Sequence, residues 1–161
     1  KWLLKSAREA DKAPTHHEQL KELAWLIGEW VDQDDEYSVK TSCQWTKNKN
    51  FITRSFAVSG GELVELEGTQ VIGWDADKKV IRSWLFDSDG GFGVGIWSKQ
   101  GDAWTIQALR VLPDGRKGSS VNVLTPLDEN SFTMESTARS IGGGVLPNIG
   151  PVTVVRAAPG N

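Results

Sequence analysis

The stretch THHEQLKELAWLIGEW, residues 15–30, decides the fold that we predict for this chain. Thr15 and Glu18 have the spacing of a capping box, in which the hydroxyl accepts the N3 amide and the carboxylate reaches back. Gly28 is free to adopt the positive φ that ends many helices. The apolar positions between them recur at helical spacing: Leu20, Leu23, Ala24 and Ile27. The stretch therefore predicts a short helix that runs directly into a sheet at Trp30, as a plug at one end of a barrel.

Beyond this junction the hydrophobic period changes from helical spacing to strict alternation, which is typical of strands with one wet face. Short turn signals such as Asp114-Gly115 indicate antiparallel neighbours. We favour a closed barrel over a sandwich because closure removes exposed edges and encloses a cavity. The predicted fold is an all-β, antiparallel barrel of about nine to ten strands with one N-terminal helix. The candidate strands are 37–46, 50–58, 62–74, 79–87, 92–98, 103–112, 118–126, 131–140 and 151–156.

The composition sets limits on partners and location. A chain of 161 residues suits one domain, and its net charge of -3 creates no field that would favour nucleic acid. No apolar run is long enough to predict a membrane span. Cys43 is the single cysteine, so we expect a small buried hydrophobe and no intramolecular disulfide. The start at Lys1 suggests a processed or truncated product, which leaves the location open, with a bacterial periplasmic or secreted protein if a leader was removed.

Histidine, the commonest general base near neutral pH and a common metal ligand, is missing from the predicted sheet. His16 and His17 are the two histidines, and both fall at the helix start. This excludes histidine-ligated haem and a Ser-His-Asp triad in the barrel, so we predict no metal and no cofactor. The enzyme candidates are few and favour a role without catalysis: Glu67, Gln70 and Asp87. The eight tryptophans fit core and barrel-end packing, with a ligand cage as the alternative.

Two arginines share a predicted strand face with apolar residues: Arg54 between Ile52 and Phe56, and Arg82 in 79–87. If these faces point inward, each guanidinium needs a partner, and its fork matches a carboxylate. The alternative is pairing with Glu65 or Glu67, or extension to the barrel rim. The predicted ligand lining is Trp45, Arg54, Phe56, Arg82, Trp84 and Phe86.

The residues Gly28-Glu29-Trp30 and Val152-Thr153-Val154-Val155-Arg156 carry a family resemblance. From about Leu23 to Arg156 the chain resembles calycin-like barrels, the group that holds lipocalins, fatty-acid-binding proteins and nitrobindin-like domains. The resemblance implies that Gly28, Trp30 and Arg156 close one end of the barrel, with the arginine stacked on the tryptophan. It implies no haem here, because nitrobindin-like domains hold haem through a histidine that this barrel lacks.

Three segments carry a narrower resemblance: TKNKNFITRSF (46–56), EGTQVIGWD (67–75) and RSWLFDSDGGF (82–92). They are similar to the C-terminal half of bacterial SgcJ/EcaC-like proteins, in which a SnoaL-like domain precedes the barrel. The resemblance implies that residues 1–14 are a strand remnant or linker from a preceding domain. Residues 15–161 would then form the barrel domain with its capping helix.

The sequence leaves two functions open. The first is a binding module for a small apolar or amphipathic ligand, with a carboxylate as its polar group. The second is an interaction domain with a filled barrel, which docks to the upstream SnoaL-like domain or forms a homodimer and exposes tryptophans in an apolar patch. The glycine- and proline-rich segment 141–151 is either a flap beside the barrel mouth or a connecting loop.

Overall fold

The computed structural model describes residues 1–10, 15–60 and 63–158. Helices α1 (Trp2–Ala10) and α2 (His17–Leu20) come first, and α2 continues as a 3-10 helix, Lys21–Leu26. Another short 3-10 turn, Lys47–Lys49, joins the second and third strands. The strands of the described residues are β1 (Gly28–Gln33), β2 (Tyr37–Trp45), β3 (Phe51–Gly60), β4 (Leu63–Asp75), β5 (Val80–Asp87), β6 (Phe92–Gln100), β7 (Ala103–Val111), β8 (Lys117–Asp128), β9 (Ser131–Ile141), β10 (Gly144–Val145) and β11 (Ile149–Arg156).

The strands form a closed antiparallel barrel. Each strand from β1 to β9 pairs with the next along the chain, and β11 lies between β9 and β1. Ten strands therefore make the ring, while the short β10 pairs with the end of β9. This confirms the predicted all-β, calycin-like barrel. Strand β1 and the hairpin strand β10 were not among the candidate strands, and segment 141–151 contributes β10 and the start of β11 rather than one long loop.

The plug at the closed end differs from the predicted helix. Leu20, Leu23 and Leu26 are its buried residues, and their spacing of three is that of a 3-10 helix. Ala24, which was expected on the apolar face, is exposed. These leucines pack against buried residues of the sheet, including Ile72 and Trp97, so they fill the end of the barrel.

The predicted capping box is wrong. The Glu18 carboxylate pairs with the Lys21 ammonium at 2.8 Å instead of reaching back to the helix start. The Thr15 hydroxyl accepts the His17 amide at a long 3.4 Å, and the His16 amide donates to the Asn50 side chain at 2.9 Å. The helix start is therefore held by a loop of the sheet, a contact that a local sequence pattern does not encode.

Residues 2–10 form helix α1, where a strand remnant, linker or apolar tail was expected. Its first turn exposes Trp2, Leu3 and Leu4. The rest of the predicted linker, 11–14, lies outside the described residues. Neither α1 nor any other helix in the described part of the chain is long and apolar enough to cross a membrane.

The barrel closure expected from the family resemblance is present. The Arg156 guanidinium carbon lies 4.2 Å from the centre of a Trp30 ring. Arg156 also donates to the carbonyls of Ile27 at 2.8 Å, Glu129 at 2.7 Å and Trp25 at 3.2 Å. Gly28 has φ of 127°, and a Cβ there would lie 2.5 Å from an Arg156 nitrogen. Gly28 is therefore required both by its backbone conformation and by the arginine beside it.

Candidate functional site

The barrel encloses a cavity of about 570 Å³. This volume lies in the range of about 300–1,000 Å³ found for small-molecule sites. The floor of the cavity faces the plug and is apolar. Its residues come from the 3-10 helix and seven strands: Leu26, Trp30, Cys43, Ile72, Trp97, Ile106, Leu124 and Phe132.

The wall above this floor is polar. Serine, threonine and amide side chains line it from strands on all sides of the barrel, together with Arg54. Ser83 is buried and accepts the Trp97 indole N–H at 2.9 Å, while Ser136 is also buried. An apolar floor beneath a polar wall suits an amphipathic guest whose apolar part enters first. Further polar residues that line the cavity include Thr41, Gln70, Ser120 and Asn122.

Arg54 is a charged group of the wall for which the described residues supply no ion pair. Its guanidinium makes one long hydrogen bond to the Gln70 carboxamide oxygen, at 3.4 Å, and lies 4.7 Å from the centre of the Phe56 ring. No carboxylate of the described residues lies within the 4.0 Å ion-pair distance of Arg54. Burial lowers the pKa of Arg54, against the raising effects of Cys43 and Asp87. Because arginine stays protonated in proteins, the result is a half-buried cation with too few acceptors.

The nearest carboxylate, Asp87, is held by another arginine. Its side chain is buried and forms an ion pair with Arg110, which reaches the cavity from β7. Burial raises the pKa of Asp87, while the charges of Arg110 and Arg54 lower it by less. Asp87 therefore influences Arg54 through its charge but gives its hydrogen bond to Arg110.

Cys43 lies in the cavity floor and is buried, as the sequence predicts. Burial raises the pKa of its thiol to about 11. The thiol is thus protonated near neutral pH, and nucleophilic chemistry at this position has no thiolate to start from.

Glycines on β6 keep space in the cavity. Gly93 and Gly95 lie opposite Leu85 and Ser83 of β5 and line the cavity. A Cβ at Gly95 would lie 2.7 Å from the Ser83 hydroxyl oxygen and 2.9 Å from Ile106. Any larger residue would displace the serine that holds Trp97, so these glycines maintain both the cavity and its wall.

The mouth of the cavity lies at the end of the barrel opposite the plug. The hairpin between β9 and β11 borders it, and Leu146 and Ile149 from this hairpin line the cavity. The Arg139 side chain donates to the Pro147 carbonyl at 2.8 Å, and the Leu146 amide donates to the Arg139 carbonyl at 2.9 Å. The segment predicted as flap or loop thus forms an ordered rim that is tied to β9.

Of the six residues predicted to line a ligand site, Arg54 lines this cavity. Trp45 packs at the closed end, with its ring 5.3 Å from the His17 ring in an edge contact. Phe56 covers Gly68, where a Cβ would fall within 2.2 Å of its ring, and stacks on Arg54. Trp45 and Phe56 therefore support neighbouring parts of the fold and lie outside the cavity lining.

Arg82, Trp84 and Phe86 do not line this cavity. Along β5 the buried residues are Ile81, Ser83 and Asp87, which belong to the opposite face of the strand. The three predicted residues point outward: Phe86 is 58% exposed, and Arg82 pairs with Asp75 at 3.3 Å. The prediction followed the larger apolar side chains, but this strand turns its smaller and more polar face inward.

The sequence reasoning missed most of the polar wall. Ser83, Asn122 and Ser136 were not candidates, because hydrophobic alternation assigns polar residues to the wet face. Gln70 and Asp87, which we weighed as weak catalytic candidates, do lie on the inner side with Arg54, whereas Glu67 does not line the cavity. Repeated glycine on β6 was the available signal, since it marks the face where the interior needs room.

Comparison with known proteins adds no family assignment. No protein-family model matches the chain, and the search of curated proteins finds no match either.

Proposed function

We propose that the barrel binds a small amphipathic molecule whose carboxylate or similar anionic group pairs with Arg54. The single observation that carries this proposal is a half-buried guanidinium, in the wall of a 570 Å³ cavity, with no carboxylate of the described residues in ion-pair contact. A partly desolvated cation that lacks a partner is unfavourable for the fold, and such groups cluster at functional sites.

The chemistry of Arg54 favours an anion as its partner. Its planar fork donates two parallel hydrogen bonds to a carboxylate, which neutral acceptors of the wall do not match. Asp87 does not supply this contact, because its carboxylate is engaged by Arg110. The one protein acceptor of Arg54, the Gln70 oxygen, lies at 3.4 Å and leaves most donors of the guanidinium to a guest.

The apolar part of the guest would lie on the floor made by Ile72, Trp97 and Ile106. Burial of its surface would supply most of the affinity, while Arg54 and the hydroxyl groups of the wall would set its orientation. The cavity beside Arg54 favours this proposal over the interaction-domain alternative, which requires a filled barrel.

The test compares an anionic probe with a neutral probe of the same shape. The probes are 8-anilinonaphthalene-1-sulfonate and N-phenyl-1-naphthylamine, and the variants are Arg54→Met and the control Arg116→Met. Arg116 is exposed and pairs with Asp114 away from the cavity. We expect Arg54→Met to weaken the anionic probe about 10- to 100-fold, the loss typical of a charged hydrogen bond, and to leave the neutral probe unchanged. Equal affinity of both variants for the anion would overturn the proposal.

We also propose that the chain is related to the C-terminal half of SgcJ/EcaC-like proteins. It is supported by the segments 46–56, 67–75 and 82–92, and the barrel fold is consistent with it. It adds no catalytic expectation for this barrel, since the activity suggested for that group would belong to the preceding SnoaL-like domain.

A further inference from the structure

The outer surface of β5–β7 is apolar where a barrel strand normally faces water. On β6 the usual pattern is inverted: Gly93 and Gly95 point inward, while Phe92, Val94 and Ile96 point outward. Neighbouring strands extend the same surface, because Trp84 and Leu109 flank Val94 in register. We call this surface the outer apolar face, and its residues are Trp84, Phe86, Phe92, Val94, Ile96 and Leu109.

This face is not needed to hold the barrel together. The core lies inside the ring and under the plug, and it contains none of the six residues. Five of them are between 39% and 61% exposed. Together they present roughly 450 Å² of apolar surface, within the range of about 300–600 Å² for the largest patch of a typical monomer, which is often functional.

We propose that the outer apolar face binds a second copy of this chain, face to face about a two-fold axis. A standard interface buries about 800 Å² on each partner, of which about 65% is apolar at its core. The outer apolar face supplies nearly that apolar area by itself, so two copies match in size. Because the ring is closed, association through the free edge of a long strand is not available, and packing of sheet faces is the remaining geometry.

The charge distribution also fits a second copy. In a two-fold contact each group near the axis meets its own copy, so a charge at the centre would repel itself. The centre of the face is uncharged, and the nearest cation in register, Arg82 beside Ile96, is neutralised by Asp75 of its own chain. No acidic side chain occupies an outward position on β5, β6 or β7, all of which lie in the described part of the chain.

Sedimentation velocity tests this proposal with a matched pair of variants. Leu109 and Leu127 are 61% and 57% exposed, and Leu127 lies outside the face. We expect the natural chain to sediment as a dimer, with twice its mass of 17.7 kDa. Leu109→Lys should sediment as a monomer at the same concentration of about 50 μM. Leu127→Lys should remain dimeric, because it adds the same charge elsewhere.

Two outcomes would overturn the proposal. A monomeric natural chain would mean that the face awaits a different protein, and equal behaviour of the two lysine variants would mean that the dimer uses another surface. The exposed first turn of α1 is the alternative dimer contact, and Leu4→Lys tests it. If this variant alone were monomeric, the dimer contact would lie on α1 and not on the outer apolar face. Binding of the anionic probe by Ile96→Lys, a variant of the same face whose residue does not line the cavity, reports on Arg54 independently, so failure of one proposal leaves the other standing.

Discussion

Arg54 and Arg156 each stack on an aromatic ring inside the same barrel, but only Arg156 has its donors filled. The Arg156 guanidinium donates to three backbone carbonyls and lies 4.2 Å from the Trp30 ring. The Arg54 guanidinium lies 4.7 Å from Phe56 and makes one hydrogen bond of 3.4 Å. Arg156 closes the end of the barrel, whereas Arg54 faces a cavity and keeps N–H donors that have no acceptor among the described residues. The number of acceptors that the fold supplies separates a structural arginine from one that a ligand completes.

The largest effect should follow from Arg156→Met. The substitution leaves the carbonyls of Trp25, Ile27 and Glu129 without their charged donor and removes the cation from Trp30. We expect the free energy of unfolding to fall by about 3 kcal/mol, measured by urea denaturation with tryptophan fluorescence. The control Arg116→Met removes a surface ion pair and should change stability by less than about 0.5 kcal/mol. A similar result for the two variants would deny Arg156 its structural role.

The closed end was the most predictable part of the molecule. Gly28 and Trp30 lie close together in sequence, and the family resemblance supplied Arg156 as their distant partner. The strands could be predicted equally well from the sequence, because alternation and turn residues are local signals. The plug was harder to predict, because a 3-10 helix and an α-helix share much of their apolar pattern. The contact between His16 and Asn50 also joins residues that lie 34 positions apart in the sequence.

The cavity was hard to predict because β5 and β6 invert the usual alternation. On β5, Trp84 and Phe86 outweigh Leu85 and Ser83 in apolar area, yet the smaller pair lines the cavity. A hollow, polar-walled interior and an apolar outside reverse the assumption that the larger apolar face is the buried one. Arg54 lines the cavity because it shares a face of β3 with Ile52, a fully buried residue.

Arg54→Met should behave in the opposite way to Arg156→Met. The substitution replaces a half-buried cation, which has no ion pair among the described residues, with an apolar side chain of similar length. We expect the free energy of unfolding to stay level or to rise by about 1 kcal/mol, in the same urea titration. A loss as large as that of Arg156→Met would show that Arg54 is structural, and the contrast between the two arginines would fail.

The smallest and most discriminating effect concerns Asp87→Asn. Burial raises the pKa of Asp87 in the folded protein, so folding favours the protonated carboxyl. Its contribution to stability is complete below the unfolded pKa and is lost as the pH rises through the folded pKa. The asparagine variant does not titrate at this position. We therefore expect the stability of the natural chain, relative to the variant, to decline as the pH rises from acid, measured by urea denaturation at a series of pH values.

The sign of this difference shows whether burial or the two neighbouring arginines dominate the pKa of Asp87. If the charges of Arg110 and Arg54 dominated, they would lower the carboxyl pKa, and the relative stability of the natural chain would rise with pH. A declining curve instead means that burial outweighs both arginines. Removing the Asp87 charge should then tighten the anionic probe a few-fold, because one neighbouring negative charge no longer competes for Arg54. Asp87→Asn thus separates an arginine completed by the fold from one that remains open to a ligand.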